Sequence, residues 1–364
     1  PILGFLWLSL SVIIENVAIK KEMTSIASLT ELSVVYSELV HELQKERGMT
    51  AGYLGSKGNK FGDKLKNQRQ NTDQKRERKT SFWSEQDITL NEVVQLNSST
   101  EQLLQKLPSI RQQVDSQSIS PAEAIAYYTE LNKILLSVAA LNAGISTDAL
   151  VTKETIAYYN FLQGKERAGI ERAVLSNTFA KNKYGAGVYK KFITLVSEQN
   201  TYFDNFSEFS NEDNKRFYTQ QLEHSSIKEV NKMRLVANQK QSNFDVDAEY
   251  WFAQSTGRIG QLKKIENHLS NRIIALVEEK RGDAFDIMLL DIIVSVLLIA
   301  VALVISFYII NDLIGRVKSL TNILSKVRHE NDLTVFSPYE GSSELGQISV
   351  SLNKTLESFS QVIK

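Results

Sequence analysis

Arg47 lies where the sequence pattern calls for an apolar residue. On a helical wheel of about 100° per residue, it falls about 20° from Tyr36, in the middle of an apolar stripe. The stripe consists of Leu32, Tyr36, Leu39, Val40, Leu43, Thr50, Ala51 and Leu54. Burying an unpaired guanidinium costs several kcal/mol. Arg47 must therefore meet an anion inside the protein or extend its charged end into water.

A second copy of the motif around Arg47 lies about 120 residues later in the chain. The segment LQKERG at 43–48 recurs as LQGKERAG at 162–169, and each copy follows a tyrosine-containing helical stretch. We interpret the pair as an internal duplication, with each copy heading one helical bundle. On a wheel centred on Tyr159, Glu166 falls near the centre and Arg167 at the edge. Either the two copies face a common space differently, or the register shifts within the second copy.

Two interpretations of Arg47 stay open from the residues alone. In the first, Arg47 forms an ion pair with a glutamate and fixes how two bundles dock. In the second, Arg47, alone or together with Arg167, binds a small planar oxyanion. A flat guanidinium donates hydrogen bonds in pairs, which matches carboxylate, nitrate or nitrite. Glu46 lies at the edge of the same face, and Gly48 would permit a close approach to the backbone.

Three stretches of the chain resemble the motifs of the nitrate- and nitrite-sensing (NIT) family. They are ELVHELQKERGMTAGYL at 38–54, KERAGIERAVL at 165–175, and a stretch at 251–262 that begins with Trp-Phe. The resemblance extends over about residues 30–275. It implies an all-helical domain that responds to nitrate or nitrite through arginine side chains.

The resemblance assigns roles to particular arginines. The arginine of the first motif corresponds to Arg47, and that of the second motif corresponds to Arg167. Arg234 and Arg258 are weaker candidates, because the sequence around them matches no family motif sharply. We therefore favour the anion-binding interpretation. The candidate ligand-binding residues are Arg47, Arg167, Glu46, Gly48 and Arg234.

Composition and charge argue against several classes of function. The chain has 364 residues, no cysteine, and 42 basic against 42 acidic residues. A neutral chain has no overall attraction for nucleic acid, so we expect no nucleic-acid partner. The basic run at 57–79 is expected to be a solvated helix face. Four scattered histidines, no thiolate and no nucleophile motif indicate no metal site, no cofactor and no enzymatic activity.

The chain is expected to be helical almost throughout. It has only four prolines and 17 glycines in 364 residues, and no strand-like alternation persists. Ser120 and Glu123 form a capping box with Pro121 between them, which predicts a helix start, and similar signals occur at Ser98 and Ser226. Breaks divide the region before the apolar segment into about eight helices, enough for two four-helix bundles in series. We predict an all-α fold.

Residues 292–310, IIVSVLLIAVALVISFYII, form an uncharged apolar run. As a helix it spans about 28 Å, close to the hydrocarbon thickness of a bilayer, about 30 Å. Basic residues follow this run and acidic residues precede it, which places the C-terminal part in the cytoplasm. The predicted domains are a truncated first transmembrane helix at 1–14, a periplasmic sensor at 15–286, a second transmembrane helix in lipid at 287–310, and a cytoplasmic linker at 311–364.

The segment 311–364 resembles a HAMP linker, the helix–connector–helix unit that follows membrane spans in bacterial receptors. Apolar residues recur every three or four positions in both helices, and the connector contains Pro338 and Gly341. One departure is Arg316, which stands where that family usually has proline. Two short amphipathic helices cannot bury their apolar seams alone, so we expect a homodimer.

Together these features predict a receptor in the bacterial inner membrane that senses nitrate or nitrite in the periplasm. The linker would relay the signal to cytoplasmic signalling machinery. A methyl-accepting chemotaxis receptor is the favoured form, and a sensor histidine kinase is the alternative. A helical receptor for another small anion, such as a carboxylate, also stays open, because an arginine clamp accepts carboxylates as readily.

Overall fold

The computed structural model describes residues 2–86, 88–339 and 341–363. Its helices are α1 (Ile2–Gly55), α2 (Gly62–Glu85), α3 (Asn91–Leu104), α4 (Leu107–Asp115), α5 (Pro121–Ile145), α6 (Ala149–Lys181), α7 (Val188–Phe209), α8 (Glu212–Leu222), α9 (Ser225–Gln239), α10 (Ala248–Glu330) and α11 (Glu344–Ile363). Across these described ranges no strand forms, and an isolated β-bridge joins Lys183 to Ser242. The predicted all-α fold is confirmed.

Helix starts follow local side-chain chemistry at some of the predicted positions. Ser120 caps α5 as predicted: its hydroxyl accepts a hydrogen bond from the Glu123 N–H (3.2 Å), and the Glu123 carboxylate accepts one from the Ser120 N–H (3.0 Å). The start predicted at Ser98 is wrong, because Ser98 lies inside α3. At α9 the capping side chain is His224, whose Nδ1 accepts a hydrogen bond from the Ser226 N–H.

The chain divides into two compact units, and the larger one is Val17–Phe285. Its main apolar core is built largely by α1, α5, α6 and α10. Buried polar contacts cross the same region: Lys165 on α6 and Ser37 on α1 both donate hydrogen bonds to the Glu266 carboxylate on α10. Charge pairing as well as apolar packing therefore holds α1, α6 and α10 together in this unit.

The other unit consists of Pro1–Asn16 and Asp286–Lys364. The long helix Ala248–Glu330 contains an 18-residue window of mean hydropathy 3.1, of which 6% is buried. By length and composition such a helix can cross a membrane, although signal sequences meet the same criteria. The connector between α10 and α11 is attached to α11, since the Ser337 N–H donates to Asn353 Oδ1 (2.8 Å). Pro1, in the predicted segment 1–14, lies outside the described residues, as do Glu340 and Lys364 in the predicted segment 311–364.

Candidate functional site

Arg47 is fully buried and is held by partners on two other helices. Its Nη1 donates to Oε1 of Glu166 on α6 (2.6 Å) and to Oγ1 of Thr129 on α5 (3.0 Å). Its Nη2 lies 3.4 Å from Oε2 of Glu166. The arginine–glutamate ion pair, one of the two interpretations of Arg47, is therefore present in the structure.

A second guanidinium, that of Arg172 on α6, is also fully buried. Its Nη1 donates to Oγ1 of Thr256 on α10 (2.8 Å), and its central carbon lies 4.9 Å from the centre of the Phe252 ring. Within the described residues, Nε and Nη2 of Arg172 have no hydrogen-bond partner. Burial first, and then the positive charge of Arg47, lower the pKa of Arg172 to about 9. This guanidinium therefore pays a large desolvation penalty without a carboxylate to offset it.

Two glycines allow α1 and α6 to approach closely beside these arginines. A Cβ atom on Gly48 would lie 2.7 Å from the Phe252 ring and 3.3 Å from Arg172 Nε. A Cβ atom on Gly169 would lie 2.8 Å from Arg47 Nη2. The close approach predicted at Gly48 is thus made by the protein's own side chains. A larger residue at position 48 would displace the Phe252 ring, and one at position 169 would displace the Arg47 guanidinium.

The charges of the buried groups around Arg47 do not balance. Arg47 and Arg172 contribute two positive charges, and Glu166 contributes one negative charge, so the group has a net charge of about +1. Arg47 Nε joins Arg172 Nε and Nη2 as donors without a partner among the described residues. Excess positive charge and free N–H donors, both removed from water, provide the chemistry for binding one small anion.

Glu42 with its partner Lys45, and the nearby His41, add no net charge to Arg47, Arg172 and Glu166. Glu42, which is nearly buried, pairs with Lys45 (2.8 Å). Burial, followed by the positive charges of Lys165 and Lys45, lowers the pKa of His41 to about 2. The His41 imidazole is therefore neutral at physiological pH and adds no charge to the site.

Glu46 lies apart from the free arginine donors, although it adjoins Arg47 in sequence. Its carboxylate accepts hydrogen bonds from Arg111 Nε (2.7 Å) and Nη2 (2.9 Å) on α4, and from the Tyr128 hydroxyl (2.9 Å) on α5. Arg111 also pairs with Asp73 on α2 (2.8 Å). Glu46 thus links helices, and its charge is satisfied away from Arg47.

Arg167 is the second arginine that the sequence assigned to the site, and the structure places it elsewhere. It is partly exposed, its Nε lies 3.1 Å from the Glu198 carboxylate, and its guanidinium stacks 4.6 Å from the centre of the Tyr202 ring. On the same helix, Glu166 faces Arg47, in agreement with its position on the wheel. The structure thus joins Arg47 to the glutamate of the second copy rather than to its arginine.

Arg234 belongs to a different buried cluster. Its Nε and Nη2 donate to the two oxygens of Glu171 (2.6 Å each), and Arg258 Nη1 lies 3.3 Å from the same carboxylate. Both arginines also donate to Gln199 Oε1 (2.8 Å). Although burial opposes ionisation, the charge of Arg234 holds the pKa of Glu171 below its usual range. The structure does not bring Arg234 or Arg258 into contact with Arg47.

Arg172 is the residue that the sequence analysis missed. One signal was available: the Glu-Arg-Ala of 166–168 is repeated at 171–173 within the second motif. The helical wheel argued against Arg172, since it falls about 140° from Tyr159. A wheel separates a core face from a solvent face, but buried residues occur all around α6. Both faces of this helix therefore meet other helices.

This chain is similar to two characterised proteins. The chain is 26% identical, over 276 residues, to the nitrate regulatory protein of Klebsiella oxytoca, and the match covers 73% of this chain and 68% of that protein. It also superposes on a solved structure of the NasR transcription antiterminator with a TM-score of 0.65 at 19% identity. That match covers 94% of this chain and 96% of the other, and it supports the fold.

These relatives contradict the predicted output. The prediction of a chemotaxis receptor or sensor kinase in the bacterial inner membrane, with a periplasmic sensor, lipid contacts and a cytoplasmic signalling partner, is wrong. The similar proteins are a regulatory protein and a transcription antiterminator. The exclusion of nucleic acid is wrong for the same reason, since antitermination acts on transcription. Hydropathy and charge bias describe the composition of a segment, and they carry no information about the output that the segment serves.

The sequence pattern for nitrate and nitrite sensing matches residues 38–274, which is well over half of the chain. The matched region contains Arg47, Glu166 and Arg172, and it agrees with the stretch of about 30–275 expected from the motifs. This chain therefore belongs to the nitrate- and nitrite-sensing (NIT) family.

Proposed function

We propose that this chain is a regulatory protein that responds to nitrate or nitrite, and that Arg47 and Arg172 bind the anion. The observation that carries the proposal is that two guanidinium groups are fully buried, while the one carboxylate in ion-pair contact with them, that of Glu166, pairs with Arg47 alone among the described residues. A bound monoanion would neutralise the site and satisfy donors that have no partner among the described residues. Binding alone is proposed, with no catalysed reaction.

The free donors suit a small planar oxyanion. Nε and Nη2 of Arg172 lie on one edge of a flat group, so they can donate two parallel hydrogen bonds to two oxygens. Nitrate and nitrite both offer two such oxygens and one negative charge. A larger carboxylate has a side chain to accommodate, and the Phe252 ring already packs against Gly48 beside Arg172. This packing favours the smaller anions.

The site can influence helix packing because its groups come from different helices. Arg47 belongs to α1 and Arg172 to α6, while Arg172 also contacts Thr256 on α10. An anion that pairs with both arginines reduces the repulsion between α1 and α6. The anion can shift the equilibrium between two packings only by its difference in affinity for them.

Thermal unfolding of the full chain tests this proposal. Nitrate, nitrite, chloride, sulfate and acetate are each titrated at constant ionic strength. We expect the unfolding midpoint to rise with nitrate or nitrite only, because a ligand at 100 times its Kd stabilises the native state by about 2.7 kcal/mol. The Arg172→Met variant should lose this rise. A wild-type midpoint that is insensitive to both anions would refute the proposal.

We further propose that residues 15–286 form the sensor as two four-helix bundles in series. One would contain α1, α2, α4 and α5, supported by the Glu46–Arg111 contact between α1 and α4. The other would contain α6, α7, α9 and α10, supported by the Glu171–Arg234 contact between α6 and α9.

The remaining domain boundaries, 1–14, 287–310 and 311–364, stay predictions, as does the HAMP-like form of the last segment. Limited proteolysis of the full chain checks them. We expect cleavage to concentrate in the connector between α10 and α11 and to leave 15–286 intact, since buried helices resist proteases. Early cleavage within 15–286 would contradict the boundaries.

A further inference from the structure

Glu166 determines the charge of the anion site. Its side chain is 4% exposed and accepts hydrogen bonds from Arg47 Nη1 (2.6 Å) and Gln44 Nε2. In the described part of the chain, it is the one carboxylate within ion-pair distance of either Arg47 or Arg172. Without Glu166 the site would contain two positive charges and no negative charge.

We propose that Glu166 makes the site selective for singly charged anions, an inference that rests on the proposed function of Arg47 and Arg172. With Glu166 in place the site carries a net charge of about +1, so a monoanion brings it to neutrality. A dianion such as sulfate would leave one negative charge buried without a partner, which is strongly unfavourable. Charge balance therefore separates nitrate from sulfate, although both present oxygens that a guanidinium can bind.

The contacts of Glu166 keep it in this role. Its two oxygens face the Nη1 and Nη2 atoms of Arg47, which leaves Arg47 Nε and the Nε and Nη2 atoms of Arg172 for a ligand. The second donor, Gln44, lies one helical turn before Arg47 on α1 and holds the other side of the carboxylate. Glu166 thus occupies one edge of Arg47 as an internal anion, and the ligand takes the donors that remain.

The test is the Glu166→Gln substitution in the full chain, because glutamine has nearly the same shape and no charge. Nitrate and sulfate are titrated at constant ionic strength, and their Kd values are measured by calorimetry. For the wild type we expect nitrate binding and no sulfate binding. For the variant we expect sulfate binding, with the ratio of the sulfate Kd to the nitrate Kd at least tenfold below the lower limit that the highest sulfate concentration sets for the wild type.

The Glu46→Gln variant is the matched control. Glu46 is also a fully buried carboxylate, and it is adjacent to Arg47 in sequence. Its partners, however, are Arg111 and Tyr128. Its neutralisation should leave the anion selectivity as in the wild type. An equal change of selectivity in both variants would overturn the role given to Glu166.

The remaining outcomes separate the inference from the proposed function. Wild-type protein that binds neither anion refutes the proposed function and, with it, the inference. Wild-type nitrate binding together with an unchanged Kd ratio in Glu166→Gln overturns the inference alone. If the variant is unfolded without anions, refolding by sulfate supports the inference. Refolding by nitrate only, or by neither anion, overturns it.

Discussion

Replacing Arg172 with methionine should stabilise the protein in the absence of anions, whereas replacing Arg47 with methionine should destabilise it. Both guanidinium groups are fully buried, but only Arg47 is paired with a carboxylate. The Arg172→Met change removes an uncompensated charge and keeps an unbranched apolar side chain beside Phe252. The Arg47→Met change instead leaves Glu166 as a buried charge without its cation.

The magnitudes follow from the contacts. The fall in the pKa of Arg172 from 12.5 to about 9 corresponds to about 5 kcal/mol of unfavourable charge burial. The contact with Phe252 offsets about 2 kcal/mol of this, and the hydrogen bond to Thr256 offsets about 1 kcal/mol. Arg172→Met should therefore gain about 2 kcal/mol. Arg47→Met should lose about 3–5 kcal/mol, the usual result of breaking one side of a buried ion pair.

Urea unfolding of the full chain at pH 7, monitored by circular dichroism without nitrate or nitrite, measures the change in the free energy of unfolding for each variant. Thermal unfolding under the same conditions gives the corresponding midpoints. At about 2–4 °C per kcal/mol, the thermal midpoint should rise by about 5 °C in Arg172→Met and fall by about 10 °C in Arg47→Met. Neither variant should gain stability from nitrate. A loss of stability in Arg172→Met similar to that in Arg47→Met would refute the reasoning, because Arg172 would then have a compensating anion of its own.

Four further predictions concern Glu266, two helix glycines and one partly exposed arginine. Burial favours the neutral form of Glu266, yet two lysines hold the pKa of Glu266 at about 2, so about 3 kcal/mol of stability should be lost as the pH falls from about 4.5 to 2. Urea unfolding at several pH values should show this loss, and Glu266→Gln should flatten it. Gly169→Ala should cost about 1–3 kcal/mol and weaken nitrate binding, because the new methyl group meets Arg47 Nη2. Gly260→Ala, whose methyl group meets nothing within 4 Å, should gain about 0.5–1 kcal/mol in the same denaturation assay. Arg167→Ala should change stability by about 1 kcal/mol or less and leave the Kd for nitrate unchanged in calorimetry, since its ion pair is partly exposed.

The sequence was sufficient for the features that depend on local chemistry or on periodicity. Composition and the lack of strand alternation predicted the all-α fold, and the capping box at Ser120 predicted the start of α5. The wheel placed Arg47 in an apolar stripe, and the structure buries it completely. The family motifs matched over nearly the whole stretch that they predicted. Each of these conclusions uses residues within one helix or one contiguous motif.

The output of the protein was beyond what local patterns could reveal. The apolar run at 292–310 and the spacing of residues in 311–364 describe two segments, and they led to a receptor assignment that the similar regulatory proteins contradict. Hydropathy measures how a segment partitions between water and an apolar phase. It does not identify the partner that the rest of the chain regulates.

Only the tertiary structure decided which charges meet. Arg47 pairs with Glu166, 119 positions away, while Glu46 turns to Arg111. The duplicated motif suggested that Arg47 and Arg167 act together, but α6 is buried on more than one face, so its wheel has no single core side. Arg172 enters the site from such a face. The sequence determined that a buried cation needs an anion, and the packing of α1 against α6 determined which groups supply the charges.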